Sequence, residues 1–109
     1  MKPWQDYQED LLEALKDPVE ASAYLNAALE AGDKKAFFLA LRNVLEAQGG
    51  MTKTSERTKL NRVSIYKMLS KTGNPGFENI LRLLRTAGVY FSVVPRQRLK
   101  INRTRFGGN

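Results

Sequence analysis

Helix start and stop signals recur along the chain at short intervals, and they constrain its fold more than any other feature. The stretch Asp17-Pro18-Val19-Glu20 begins a helix, because the aspartate can cap it, the proline suits its first position and the glutamate completes a capping-box spacing. Gly32 favours a left-handed turn and precedes Asp33, a second capping residue. Gly49-Gly50 and Gly88 end two further segments. The pattern predicts a succession of short helices.

Within each segment, apolar residues recur at the spacing of one helical face. The four stripes are Trp4, Tyr7, Leu11 and Leu15; Ala21, Tyr24, Leu25 and Ala28; Phe37, Phe38, Leu41, Val44 and Leu45; and Phe77, Ile80, Leu81, Leu84 and Ala87. The first stripe predicts a helix over residues 4–16. Together they predict an all-α fold, a compact bundle of about five or six helices, and 109 residues suit one globular domain.

Two short helices are predicted on either side of the sequence Lys59-Leu60-Asn61, which suggests a helix-turn-helix. Residues 51–60 have poor apolar periodicity, but Asn61 is a good cap for a helix over residues 62–71. When Ile65 faces the core beside Met68 and Leu69, the residues that point outward are Val63, Lys67, Ser70 and Lys71, with Ser64 and Tyr66 at the borders. This face contains no acid, which suits the major groove of DNA. An ordinary surface helix with solubilising lysines is the alternative.

One β-strand is predicted near the end of the chain. Residues 89–94 (VYFSVV) are rich in β-branched and aromatic side chains and are bounded by a glycine and a proline. A lone strand has unpaired edges, so it must pair, and a second copy of the chain is the economical partner. We therefore expect dimer contacts from Tyr90, Phe91 and Val93. Pairing within the chain is the alternative.

Charge is divided unevenly between the two ends of the chain. The net charge is +7, but residues 1–33 hold eight acids and two bases, whereas residues 34–109 hold three acids and sixteen bases. The basic part indicates a polyanionic partner, most often nucleic acid. The acidic part suits either a basic protein or a solvated helix face. The split favours two surfaces with different partners.

The chain contains no cysteine and no histidine. This excludes disulfides, thiolate metal sites and thiol nucleophiles, and it removes the commonest general acid–base group. No nucleophile–base pair can be drawn from the remaining residues, so we expect no enzymatic activity, no metal and no cofactor. No apolar run is long enough to span a membrane and the first residues lack a signal core, so we expect a cytoplasmic protein that does not bind membranes.

Several of these stretches together resemble one known family. The blocks LKDPVEASAYLNAALEAGDKKAFFLALRNVLEAQGGM and LNRVSIYKMLSKTGNPGFENILRLLRTAGVYFSVVP are similar to the addiction-module antidote (type II antitoxin) family, to HigA-like members with a λ-repressor-like helix-turn-helix. AYLNAALEAGD, SIYKML and GNPGF are the most distinctive parts. The resemblance implies a homodimeric antitoxin that neutralises a small basic RelE-type toxin, an mRNA-cleaving endoribonuclease. It also implies repression of its own operon at a palindromic operator in double-stranded DNA.

Carried over residue by residue, the resemblance assigns Met51–Thr58 to the first helix of the DNA-binding pair, Leu60 to the buried turn and Asn61 to the helix cap. In the family, the positions of Arg62, Ser64, Tyr66 and Lys67 usually contact DNA. The full set of predicted DNA contacts is Thr52, Lys53, Asn61, Arg62, Val63, Ser64, Tyr66, Lys67 and Lys71.

The chain departs from the family pattern at two places in this pair of helices. Thr54-Ser55 stands where the family usually has Leu-Ala, which should weaken the packing of the first helix. Lys59 stands where the family usually has glycine, and a left-handed turn at a lysine costs about 1 kcal/mol. We therefore expect either a DNA-binding pair that is looser than usual or DNA binding that has drifted from the family pattern.

The first helix has two interpretations. Trp4, Tyr7, Leu11 and Leu15, with their acidic rim, would suit a groove on a basic toxin. The same side chains would equally well cover the domain's own core.

The predicted organisation is an acidic amphipathic helix over residues 1–16, a helix-turn-helix domain over residues 17–95 and a flexible basic tail over residues 96–109. The tail holds five bases and no acid, and it would add phosphate contacts or be unrelated to DNA binding. A stand-alone, phage-type transcriptional repressor without a toxin partner is the alternative function.

Overall fold

Six helices make up the described part of the chain, which in this computed structural model comprises residues 3–96, without the side chains of residues 3–5. The helices are α1 (Pro3–Ala14), α2 (Pro18–Glu30), α3 (Lys34–Ala47), α4 (Gly50–Thr58), α5 (Arg62–Met68) and α6 (Phe77–Thr86). None of the residues within 3–96 forms a strand. The all-α prediction is confirmed, and the helices begin and end within three residues of the predicted bounds.

Two aspartates begin helices as the sequence predicts. Oδ1 of Asp17 accepts a hydrogen bond from the Val19 amide (3.0 Å), and Oδ1 of Asp33 accepts one from the Lys35 amide (2.9 Å). Each bond satisfies an amide that has no partner within its own helix. Gly32 has a φ of 73°, so the corner between α2 and α3 turns in the left-handed region as expected.

The central helix is α3, which packs against α1, α2, α4 and α6. Leu41, Val44 and Leu45 on its inner face are completely buried. The other buried apolar residues are Leu15, Ala21, Leu25, Phe37, Phe38, Ala40, Met51, Ile65, Leu69, Ile80, Leu83, Leu84 and Ala87. Most members of the predicted stripes therefore converge on one core, whereas Phe77 (69% exposed) and Tyr7 (70%) lie at the surface. Each leucine-sized side chain in the core contributes about 1.5–3 kcal/mol through burial.

The end of α1 is joined to the end of α3. Nε2 of Gln48 donates hydrogen bonds to the carbonyl oxygens of Leu15 (2.9 Å) and Lys16 (3.0 Å). Leu15 is buried in the core, and Leu11 is half-buried against it. The last turn of α1 is thus part of the domain.

The prediction of a strand over residues 89–94 is wrong for the single chain. The segment follows α6 without regular structure, and Phe91 stacks between Phe37 (ring centroids 6.3 Å apart) and Phe77 (6.1 Å). A strand is stable only when its amides and carbonyls pair with those of a neighbouring strand, and residues 3–96 contain no second strand. Aromatic packing holds the segment instead.

None of the helices described here is both long enough and apolar enough to cross a lipid bilayer. Residues 97–109, which include Arg98, Lys100, Arg103 and Arg105 of the predicted basic tail, lie outside the described residues.

Candidate nucleic-acid interface

The helices α4 and α5 are joined by a turn of three residues, Lys59, Leu60 and Asn61. Lys59 has φ 66° and ψ 19°, which is a left-handed turn, as the resemblance implied from the glycine that the family usually has at this position. Its amide donates a hydrogen bond to the Ser55 carbonyl oxygen (2.8 Å), which closes the last turn of α4. The chain therefore reverses sharply enough for two short helices to pack against each other.

Hydroxyl groups of α4 hold this turn in place. Oγ of Ser55 donates to the Leu60 carbonyl oxygen (2.6 Å), and the Leu60 amide donates to Oγ1 of Thr58 (3.2 Å). Thr58 in turn donates to the carbonyl of Thr54 (2.7 Å), whose own hydroxyl donates to the Gly50 carbonyl (2.9 Å). The structure shows no loosening at Thr54 and Ser55, because their hydroxyls are paired and Thr54 is 1% exposed.

Asn61 begins α5 by capping it. Its Oδ1 accepts hydrogen bonds from the amides of Val63 (2.7 Å) and Ser64 (3.4 Å). Ile65 and Leu69 then point into the core, while the half-buried Met68 packs beside them. The predicted rotation of this helix is confirmed, and its first turn is left at the surface.

The outward face of α5 carries the predicted contact residues. Val63 is 66% exposed and Tyr66 38%. All nine predicted DNA contacts are exposed, namely Thr52, Lys53, Asn61, Arg62, Val63, Ser64, Tyr66, Lys67 and Lys71. A shallow depression brings five residues of the α4–α5 pair together, namely Ser55, Asn61, Arg62, Val63 and Tyr66. The fold thus gathers small, polar and basic side chains on one surface.

No ion pair within the described residues holds the bases of this surface, although two exposed acids, Glu56 of α4 and Glu46 beside Tyr66, are present as well. The two ion pairs found between residues 3 and 96 lie elsewhere, between Lys16 and Glu13 (3.0 Å) and between Arg82 and Glu78 (3.8 Å). The bases of α4, the turn and α5 are Lys53, Arg57, Lys59, Arg62 and Lys67. Such a surface attracts an anionic partner over several ångströms.

A contact from α3 orients Tyr66, and the sequence did not reveal it. The Arg42 guanidinium carbon lies 5.7 Å from the centre of the Tyr66 ring, and the Tyr66 hydroxyl donates to Oε2 of Glu46 at 3.4 Å. Arg42 and Glu46 are four residues apart and share one face of α3. That spacing is visible in the sequence, but the approach of α5 to this face is decided by tertiary packing.

The predicted toxin contacts on α1 are divided by the fold. Tyr7 is 70% exposed, and the acids Asp6, Glu9, Asp10 and Glu13 are exposed with it. Leu15 is a core residue and Leu11 packs against the core, which is the alternative that the sequence left open. The Trp4 side chain lies outside the described residues. Of the predicted toxin contacts whose side chains the structure describes, only Tyr7 is exposed, and it shares α1 with the exposed acids.

The predicted dimer contacts lie on an exposed segment. Tyr90 is 87% exposed and Val93 95%, whereas Phe91 is half-buried between two phenylalanines. No main-chain hydrogen bond joins residues 90–95 to any other residue of the described range. Tyr90 and Phe91 also border an apolar cleft that reaches Leu25 and Leu29 of α2.

Comparison with known proteins identifies one family and one relative. Residues 6–95 match the family described as "probable addiction module antidote protein". An uncharacterized protein of Haemophilus influenzae is 29% identical over 84 residues, an alignment that covers 77% of this chain and 86% of the relative. No solved structure matches the chain significantly. The family match spans all six helices except the first residues of α1.

Proposed function

The chain belongs to the family of addiction module antidote proteins, the antitoxins of toxin–antitoxin modules, and from this premise we propose what it binds. We propose that it is a non-enzymatic, dimeric antitoxin with two partners. One is double-stranded DNA at a palindromic operator, where the protein represses its own operon. The other is a small, basic, RelE-type toxin that cleaves mRNA. It would act in the cytoplasm, where both partners are found.

The observation that carries the DNA-binding proposal is the exposed, acid-free face of α5 behind a preformed turn. A helix-turn-helix reads bases with the first residues of its second helix. In this protein those residues are Arg62, Val63 and Ser64, which project from a helix start that Asn61 caps. Arginine can donate two hydrogen bonds to guanine, serine pairs with several bases, and valine can contact a thymine methyl group.

The acidic face of α1 supports the proposal of a basic partner. Four exposed carboxylates lie on the same helix as the exposed Tyr7, and Asp10 stands one turn after it. Exposed aromatic residues and complementary charge are both common in protein interfaces. Leu15 is buried in the core and Leu11 packs against it, so the described part of this surface would contribute charge and the Tyr7 ring. We therefore expect salt-sensitive association with the toxin.

Dimerisation is proposed through the segment that follows α6. Main-chain groups of residues 90–95 have no partner among the described residues, and the exposed Tyr90 and Val93 flank them. Antiparallel pairing with a second copy would satisfy both strands by symmetry. The two copies of α5 could then reach the two halves of a palindromic operator.

One experiment tests the two binding activities together. The protein is expressed with the product of the adjacent gene, purified through a tag on that product, and then mixed with the DNA upstream of both genes in a gel-shift assay. We expect co-purification and a shifted band that disappears at high salt. Failure to co-purify with a small basic protein contradicts the toxin assignment, and the absence of a shift contradicts DNA binding.

The burial of Leu11 and Leu15 favours one alternative function, a stand-alone transcriptional repressor. Because these two leucines pack in or against the core, two of the four side chains proposed to enter a groove on the toxin are not available for it. In that case the gel shift would remain and no adjacent gene would encode a small basic protein.

A further inference from the structure

Lys59 adopts a backbone conformation that the described chain otherwise leaves to glycine. Its φ of 66° lies in the left-handed region, where the Cβ atom of an L-residue crowds the following carbonyl oxygen. The other positive-φ positions within residues 3–96 are Gly32, Gly49, Gly50 and Gly88. A lysine at this place therefore lowers the stability of the fold.

Nothing within the described monomer offsets this strain. The hydrogen bonds that hold the turn use the main chain of Lys59 and the hydroxyls of Ser55 and Thr58, so they would be the same with a glycine. The Lys59 side chain is exposed, and no carboxylate in the described range forms an ion pair with it. Its charge is available to a partner.

The position of Lys59 indicates which partner this is. It stands three residues before Arg62, the first residue of α5, and three peptide units span at most about 11 Å. The major groove of DNA is about 12 Å wide and is bordered by the two phosphate backbones. When the first turn of α5 enters the groove, a lysine at this distance reaches one of those backbones.

We infer that Lys59 is a phosphate-binding residue of the DNA interface, and that its strained backbone is the cost of placing a charge at the turn. The inference rests on the proposed binding of DNA by α5. It predicts that the substitution that relieves the strain raises stability and lowers DNA affinity together. If Lys59 does not bind phosphate, the same substitution should raise stability and leave DNA affinity unchanged.

The test compares Lys59→Gly, Lys59→Arg and wild type. We measure the melting temperature, and we measure affinity for a labelled duplex of the DNA upstream of the gene across a series of salt concentrations. For Lys59→Gly we expect a melting temperature higher by a few degrees. We also expect affinity about tenfold lower near 0.1 M salt, and a salt slope shallower by about one for each protomer. Lys59→Arg keeps the charge and should bind like the wild type.

Lys35→Gln is the matched control, because it removes one charge from the exposed start of α3, almost two turns before Arg42. It should leave the salt slope unchanged. Equal salt slopes for Lys59→Gly and wild type overturn the inference. A loss of DNA affinity and salt slope in Lys35→Gln as large as that in Lys59→Gly also overturns it. A wild-type protein that binds no duplex at any salt concentration overturns the proposed DNA binding itself, and this is seen before any variant is compared.

Discussion

At the scale of single residues, buried hydroxyl groups hold α4 to the turn that follows it. Thr54 and Thr58 occupy core positions where apolar side chains are usual, yet each hydroxyl is hydrogen-bonded. Their roles differ. Thr54 donates to a carbonyl of its own helix, whereas Thr58 also accepts the Leu60 amide, for which the structure shows no other acceptor among the described residues. A buried amide that loses its partner costs about 1–3 kcal/mol.

We therefore predict that Thr58→Val destabilises the protein by about 1–3 kcal/mol. Thr54→Val, which has nearly the same shape and leaves no donor unpaired, should change stability by less than about 1 kcal/mol. The free energy of unfolding in urea measures both. Equal losses of unfolding free energy in the two variants would contradict the role of Thr58 as the acceptor for the Leu60 amide.

The first residues of α5 give a second prediction at this scale. Arg62→Ala combined with Lys67→Ala should abolish the preference for the upstream duplex over a scrambled one, because both exposed bases lie on the face proposed to enter the groove. A gel shift with both duplexes measures this preference. Lys34→Ala with Lys35→Ala is the control with the same change of charge, and it should keep the preference. Unchanged specificity in the α5 variant would place recognition elsewhere.

At the scale of elements, the segment after α6 shows how a local preference depends on a partner. Its composition favours a strand, but Phe91 packs between Phe37 and Phe77 and no neighbouring strand is described. Phe91 is thus fixed within the monomer, whereas the part of the segment around Val93 is exposed. The two parts can be tested by separate substitutions.

We predict that Val93→Asp makes the protein monomeric in sedimentation experiments while its melting temperature, measured at a concentration where the wild type is also monomeric, stays unchanged. Val93 is 95% exposed, so a charge there is costly only when a second copy covers it. Phe91→Asp is the contrasting variant, and it should lower the melting temperature because it buries a charge between two rings. A dimer that persists in Val93→Asp would move the interface away from this segment.

At the scale of the whole molecule, the division of charge matches the division of surfaces. The exposed acids of α1 and the exposed bases of α4 and α5 lie on different helices, and α1 packs on α3 without contacting α5 extensively. The net charge of +7 hides this arrangement. An acidic surface and a basic surface each repel the partner that suits the other, so the arrangement is consistent with the proposal that one molecule holds a basic protein and DNA at once.

The bases at the end of the chain lead to a prediction at this scale. Removing residues 96–109 should make the dependence of DNA affinity on salt shallower, while the preference for the upstream duplex over a scrambled one stays the same. The reason is that phosphate contacts add affinity without reading sequence. Affinities for the two duplexes across a salt series measure both quantities, and an unchanged slope would show that the tail does not touch DNA.

The sequence alone was sufficient for those features that depend on neighbouring residues. The capping of α2, α3 and α5 by Asp17, Asp33 and Asn61 follows from short-range hydrogen bonding. The left-handed turn at Lys59 was implied by the family resemblance and runs against the local steric preference of a lysine. The orientation of α5 also followed, because a helical period of 3.6 residues determines which side chains lie opposite Ile65.

The tertiary structure decided whatever depends on residues distant in the chain. It assigned Leu15 to the core, joined Arg42 and Glu46 to Tyr66, and packed Phe91 between two rings where a strand was predicted. It also showed that Thr54 and Ser55 are hydrogen-bonded rather than loosely packed. Periodicity predicts which face of a helix is apolar. Tertiary packing determines which residues that face contacts, because burial and side-chain pairing depend on both of the surfaces that come together.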